Sequence, residues 1–247
     1  MSRYKLYIFD LDGTIYRGTH VIPHAAETIR ELISQGALVR YLTNNSAADP
    51  DEVSAKLNAM GVASEPGWVY GSGPAAAKLC IRHGYKRAFI VGEIQLKSAF
   101  ERLGVASVTE NPDVVVSGIC RGFTYDLMNQ AMQFIRGGCP YIATNLDPSY
   151  PKEHGVFEPG SGSIVAAIST CSGAIPELAG KPQPGMVLDI LDELGIAKSD
   201  ALVVGDREDT DLDCGRNAGV DTWLVLTGVE KEMLPNQAGS PDLRGLL

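Results

Sequence analysis

The run from Leu6 to Phe9, which breaks off at Asp10 and Asp12 with Gly13 and Thr14 behind them, limits this chain more than any other stretch. Its apolar residues read as a strand buried on both faces, as in a parallel sheet. In open α/β sheets the ligand crevice lies outside the carboxyl ends of the strands. The two acids stand at that end, so the pair is a candidate metal and reaction site.

The rest of the chain repeats the pattern. A helix is expected over His24 to Gln35, with Ala25, Ile29, Leu32 and Ile33 at near-helical spacing and Gly36 as its stop. A strand from Ala37 to Leu42 follows and ends in four polar residues, Thr43, Asn44, Asn45 and Ser46. Asp49 is placed to cap a helix that starts at Pro50 and stops at Gly61. Further strands are expected at Val69 and Tyr70, Ala88 to Val91, Val114 to Ser117, Tyr141 to Ala143, Ala201 to Val204 and Thr222 to Leu226. Helices are expected over Pro74 to His83, Leu96 to Leu103, Thr124 to Arg136, Ile164 to Thr170 and Met186 to Leu194. Alternation of this kind predicts an α/β fold built on a doubly wound, Rossmann-like parallel sheet. The apolar stripe Leu127, Met128, Ala131, Met132 and Ile135 reads as packing, since helical spacing of that sort usually marks a core face. Pro148 to Gly162, with its SYPKEHG and PGSGS runs, reads as a turn-rich loop, and the tail from Glu230 to Leu247 as loosely attached.

Composition narrows the classes. With 45% hydrophobic residues in 247, a packed core is expected. No apolar run approaches the roughly 20 residues of a membrane span. The start, MSRYKLYIF, lacks a signal-peptide pattern, so a cytoplasmic protein is expected. The five cysteines, Cys80, Cys120, Cys139, Cys171 and Cys214, are scattered without a CxxC pair, which argues against a disulfide framework and against a thiolate zinc site. A formal charge of −9 without a basic cluster argues against nucleic acid and anionic membranes as partners. An anionic substrate would then need a bound cation to offset the field locally.

Asp206 stands at the end of the Ala201 to Val204 strand, and a parallel sheet can bring it beside Asp10 and Asp12. Such an oxygen set suits Mg²⁺, and without His or Cys at these strand ends a zinc site is not expected. Thr43 offers a hydroxyl, the turn after it offers backbone N–H groups, and Lys181 offers a fixed positive charge, so together they suit a phosphoryl group. Each has a duller reading as well: strand-end acids cap helices, Thr43 to Ser46 forms a turn, and Lys181 is a solvated surface residue. The combination outweighs these, because DxDGT would arise by chance in a chain this long only on the order of one time in several hundred.

With DLDGT at Asp10 to Thr14, TNNS at Thr43 to Ser46, GKP at Gly180 to Pro182 and GDREDTD at Gly205 to Asp211, the sequence resembles the haloacid dehalogenase superfamily of aspartate-nucleophile phosphatases. Only 28 residues separate Thr14 from Thr43, whereas 134 separate Ser46 from Lys181, so an inserted lid must follow the second motif. That placement resembles the NagD-like, para-nitrophenylphosphatase-like branch, subfamily IIA, with an α/β cap domain of the second type. ATNLD at Ala143 to Asp147 and PGSGSIVAAI at Pro159 to Ile168 look like its cap and return segments, although Leu146 stands where many relatives have proline. The implied division is a core of residues 1–83 and 178–247 with a cap of 84–177.

The resemblance implies roles. Asp10 would be the nucleophile and Asp12 the acid and base. Mg²⁺ would be held by the carboxylates of Asp10 and Asp206 and the backbone carbonyl of Asp12. Thr43, the Asn44 amide and Lys181 would hold the phosphoryl oxygens, with Asn45 and Asp211 supporting them from behind. Glu208 and Asp209 are expected to be exposed acids. In the cap, Asn145 and Asp147, with Tyr150, Lys152 and His154 near them, would face the leaving group. The expected activity is hydrolysis of a small phosphorylated metabolite such as a sugar phosphate, nucleoside monophosphate, phosphoglycolate or pyridoxal phosphate. A phosphotransferase or mutase using the same intermediate, and a non-catalytic phosphate-binding protein, stay open as alternatives. The resemblance also allows a homodimer joined through the cap.

Overall fold

The computed structural model describes residues 3–151 and 156–247. The chain opens with strand β1 (Leu6–Asp10), a small hairpin of β2 (Tyr16–Arg17) and β3 (His20–Val21), helix α1 (Ala25–Ser34), β4 (Leu38–Thr43), α2 (Pro50–Ala59) and β5 (Val69–Gly71). A second run holds α3 (Ser72–Arg82), β6 (Arg87–Val91), α4 (Ile94–Arg102), β7 (Ala106–Ser107), β8 (Val114–Ser117), α5 (Tyr125–Arg136) and β9 (Tyr141–Ala143). It continues through a hairpin of β10 (Ser149–Pro151) and β11 (Phe157–Pro159) to α6 (Ser161–Ser172) and β12 (Glu177–Leu178). Last come α7 (Gly185–Leu194), β13 (Ala201–Gly205), α8 (Asp213–Ala218), β14 (Asp221–Val225) and β15 (Gly239–Ser240). Among the described residues no helix is long and apolar enough to cross a membrane.

Two parallel sheets result. The first runs β15-β14-β13-β1-β4-β5, and the second β12-β9-β8-β6-β7. All five residues of β1 are buried, and successive side chains go to opposite faces of the sheet. Tyr7 and Phe9 pack with Ile29 and Leu32 of α1 and Leu57 of α2, while Leu6 and Ile8 pack with Val187 and Ile190 of α7 and Cys214 of α8. This two-sided burial is what a β-αβ crossover arrangement demands. It also sets the site: Phe9 is level with Val204 on one side and Tyr41 on the other, so Asp10, Thr43 and Asp206 leave the sheet at the same edge.

Helix ends follow local chemistry. Asp49 accepts a hydrogen bond from the Asp51 N–H at 2.9 Å with Pro50 in the first turn of α2, and Thr124 caps α5 through the Leu127 N–H at 3.2 Å. The apolar stripe of α5 is packing, with Ala131 and Ile135 buried against the second sheet and Leu127 and Met128 partly covered.

Four expectations are corrected. Helix α3, which the implied division puts wholly with the first half, lies between the two: its small-residue face packs Ala76, Ala77 and Cys80 against Ile90, Val114 and Phe100 of the second, while Lys78 and Arg82 pair with Asp189 of α7. The loop from Pro148 to Gly162 contains the β10–β11 pairing and the first turn of α6, which polar and glycine-rich composition hid. The tail is docked: β15 extends the first sheet beside β14, the Trp223 indole donates to Ser240 at 2.9 Å, and Leu243 is 0% exposed in the cluster that holds α1. Pro235 and Pro241 read as loop, but the apolar Leu243 beyond them supplies the anchor. Glu208 is the fourth, half-buried and bonded to Arg216 at 2.7 Å, while Asp209 is exposed as expected.

Candidate active site

Asp10 ends β1, Asp206 follows β13, and Asp211 lies on a single π-helical turn, Glu208–Leu212, beyond it. One carboxylate oxygen from each lies within 4.8 Å of the others, and all three side chains are buried. Lys181 enters among them from the loop after β12. Its ammonium donates to Asp10 Oδ1 and, at 2.6 Å, to Asp211 Oδ1. Burial alone would lower the lysine's pKa, but the charges of Asp10 and Asp211 outweigh it, so the ammonium stays protonated. The acids respond in the opposite sense. Burial and the charge of Asp211 push Asp10 well up, against the pull of Lys181, and the same two causes push Asp206 up to about 6.

Three carboxylates against one ammonium leave a negative excess in a buried place. Asp10 Oδ2 is buried without a hydrogen-bond partner among the described residues. An all-oxygen set with an unpartnered carboxylate oxygen is what a hard divalent cation binds, so the residues fit the expected metal. Asp206 is fixed for that purpose, since Oδ2 accepts from the Val229 N–H at 2.6 Å and Oδ1 from the Thr14 hydroxyl at 3.4 Å. Gly13 has φ +95°, and a Cβ there would lie 2.5 Å from Asp206 Oδ2, so glycine is required for the acid to come this close.

Asp12 keeps part of its surface exposed, but burial of its carboxyl pushes it up, with Lys56 and Lys181 opposing the rise and Asp147 adding to it. Thr43 is buried, and its hydroxyl accepts from the Asn45 N–H at 3.1 Å. The side chain of Asn44 is spent on the protein itself: Oδ1 accepts from the Lys181 N–H at 2.9 Å, and Nδ2 donates to the Lys181 carbonyl at 3.2 Å and to Asp147 Oδ2 at 3.1 Å. Gly180 is needed beside it, because a Cβ would meet Asn44 Oδ1 at 2.5 Å.

Three expected positions come out differently. Asn45 is exposed, and its side chain accepts from the Ala47 N–H at 3.0 Å, which makes it a turn former and not a support for the site. Asn145 is turned away from solvent: it is 2% exposed and its amide donates to the Asn44 carbonyl at 2.6 Å, alongside the Ser72 hydroxyl, which donates to the same carbonyl at 2.7 Å, because a buried amide needs such partners. Asp147 points at the core, taking Asn44 on one oxygen and, at 3.4 Å, the guanidinium of Arg207 on the other. Tyr150 bonds within the second half, to Glu158 and Arg121, and Lys152 and His154 lie outside the described residues.

Three further contributors lie outside the expected set. Arg207 follows Asp206 directly within GDREDTD, and this adjacency was its signal. The turn Thr227 to Val229 closes over the site: the Thr227 hydroxyl donates to the Gly13 carbonyl at 2.7 Å, and Arg17 donates to the carbonyls of Thr227 and Gly228. A polar turn at the end of β14 was visible as a fourth strand end. Lys56 lies 3.9 Å from the centre of the Tyr16 ring, and nothing in the local sequence separates it from any solvated helix lysine.

Comparison with known proteins agrees with this geometry. The family described as haloacid dehalogenase-like hydrolase matches residues 7–106, and the one described as HAD-hydrolase-like matches residues 178–243. An acid sugar phosphatase of Staphylococcus epidermidis is 39% identical over 93% of this chain and 89% of its own length. The structure of a glycerol phosphate phosphatase from Mycobacterium tuberculosis, in complex with magnesium, superposes with a TM-score of 0.90 at 32% identity, covering 100% of this chain and 79% of that one. NagD from Escherichia coli superposes with a TM-score of 0.90 at 29% identity over 98% of each chain.

Proposed function

This chain belongs to the haloacid dehalogenase-like hydrolases and is a phosphatase of their NagD-like branch, and on that premise we propose that it hydrolyses small sugar or polyol phosphomonoesters with Mg²⁺, through an aspartyl-phosphate on Asp10. The observation that carries the proposal is the buried, unpartnered Oδ2 of Asp10 beside Asp206 and Lys181. The similar acid sugar phosphatase and glycerol phosphate phosphatase support small hydroxyl-bearing leaving groups, and the magnesium complex of the latter supports the choice of metal.

The carboxylates of Asp10 and Asp206 and the backbone carbonyl of Asp12 would hold the metal, with Asp211 close enough to join them. When bound, Mg²⁺ would supply positive charge between the acids and the phosphoryl oxygens. Asp10 attacks phosphorus in line, forming an O–P bond as the bond to the alcohol breaks. Asp12, whose carboxyl is pushed above its ordinary value by burial, gives a proton to the departing oxygen. As a carboxylate it then takes a proton from the water that attacks phosphorus, which releases phosphate and restores Asp10. Thr43, Lys181 and the backbone N–H of Asn44 hold the non-bridging oxygens, since the Asn44 side chain is already engaged.

Phosphate release from a panel of phosphomonoesters, with Mg²⁺, with EDTA and with Asp10→Asn, tests the reading. Release that needs Mg²⁺ and is lost in the variant is expected. Undiminished release in EDTA or in Asp10→Asn contradicts it.

A further inference from the structure

The PGSGS run has no part in the chemistry above, yet its backbone comes unusually close to one residue. The Gly162 N–H donates to the Asp147 carbonyl at 2.9 Å, and the Gly160 N–H to the Pro148 carbonyl at 2.9 Å. A Cβ on Gly160 would lie 2.1 Å from the Asp147 carbonyl oxygen, and one on Gly162 would lie 2.2 Å from that of Leu146. The Ser163 hydroxyl donates to Pro148 at 2.8 Å, and Asp147 itself donates through its N–H to Asn145 Oδ1 at 3.1 Å. Asp147 is therefore mounted firmly on the second-sheet half.

Its carboxylate reaches the other way. Oδ2 takes Asn44, whose side chain also holds both the N–H and the carbonyl of Lys181; Oδ1 takes Arg207, which follows Asp206 and whose own N–H donates to Asp211 at 3.1 Å. Arg207 is braced by Asp209 in two bonds of 3.0 Å through Nε and Nη2, which holds its remaining Nη1 toward the cap acid at 3.4 Å. The loops after β4 and β13 thus meet one carboxylate from the other sheet, and Asn44 links that carboxylate to the loop after β12.

We propose that Asp147 is a positioning residue: held by the glycine mount at Gly160 and Gly162, its carboxylate docks the cap half on Asn44 and Arg207 and so sets Lys181 and the segment from Asp206 to Asp211 in register for phosphoryl transfer. It differs from a leaving-group contact, the role the resemblance suggested, because both oxygens are already taken by the core. The inference rests on the phosphatase reading, since it concerns the same cleft.

The test is steady-state hydrolysis of 4-nitrophenyl phosphate, whose leaving group has no free hydroxyl of its own, and of glycerol phosphate by Asp147→Ala, Arg207→Ala, the double variant and Gly162→Ala. A docking carboxylate predicts that kcat falls by the same factor on both substrates, roughly ten- to a hundredfold for coupling of this kind, with the double variant no worse than the poorer single one. Gly162→Ala should lower kcat in the same way without altering any core side chain. A loss confined to glycerol phosphate, a change in KM alone, or a double loss equal to the product of the singles overturns the proposal. If the wild-type protein turns over neither ester, the phosphatase reading fails and amide hydrogen exchange decides the docking. Asp147→Ala should then speed exchange in peptides covering 143–147 and 179–183, and a pattern identical to wild type overturns the proposal.

Discussion

Lys181 donates its ammonium to Asp10 across 171 residues of sequence, and the same ammonium reaches Asp211 from the turn beyond β13. The contact joins the first motif to the third and fourth, and it is buried. Removing the cation leaves three carboxylates facing one another without compensation. Lys181→Met should cost about 3–5 kcal/mol of stability at neutral pH in the metal-free protein, as loss of one partner from a buried pair does. Urea unfolding measures it, and saturating Mg²⁺ should restore part of the loss.

The same excess of negative charge makes metal binding depend on pH. Burial and Asp211 raise Asp206 to about 6 in the metal-free fold, above its ordinary value of 3.8. The fold therefore holds this proton more tightly than the unfolded chain does. That contribution to stability is fully present below the ordinary value and is lost as pH rises through about 6. Protons compete with the cation for the same oxygens, so affinity for Mg²⁺ should rise over the same interval. Melting temperatures with and without saturating Mg²⁺ should show a larger Mg²⁺-induced rise at pH 7.5 than at pH 5, and an equal rise at both would rule out this linkage.

Asp12 is proposed as proton donor to the leaving oxygen, and a leaving group that departs readily as an anion needs that proton least. Asp12→Asn should therefore slow glycerol phosphate far more than 4-nitrophenyl phosphate, with the former loss in the range of about 10² to 10⁴. The ratio of the two kcat values is the measurement. Equal losses would mean that Asp12 acts by another route.

The docked tail makes a separate prediction about stability. Leu243 is 0% exposed among residues of α1 and β1, so Leu243→Ala should cost about 2–5 kcal/mol in chemical denaturation. A change within a few tenths of a kcal/mol would mean that the tail contributes no core.

The legible parts of this molecule were those whose cause is local. Asp10, Thr43 and Asp206 could be placed at one sheet edge because each follows a short apolar run, and a parallel sheet aligns such ends. The Asp49 and Thr124 caps could be read because capping depends on a few neighbouring residues. What escaped was decided by partners far away. Asn145 reads as a cap residue facing the leaving group until the Asn44 carbonyl, 101 positions earlier, is found against its amide. Asp147 reads as a cleft acid until Arg207 and Asn44 take its oxygens. Helix α3 has the same amphipathic pattern whichever sheet it covers, and only distant partners, Ile90, Val114 and Phe100 on one side and Asp189 on the other, place it between the two halves. Lys56 carries no mark in the sequence of its distance to Tyr16.

The central claim is covalent, that Asp10 carries the phosphoryl group between the ester and water. Acid quench of the turning-over protein with Mg²⁺ and 4-nitrophenyl phosphate, borohydride reduction of the acyl phosphate and peptide mass spectrometry test it most directly. The mechanism predicts homoserine at position 10 in wild-type protein and no such conversion in Asp10→Asn. Conversion at another carboxylate in place of position 10, or an unmodified position 10 in protein whose acyl phosphate is shown to survive the quench, would contradict it.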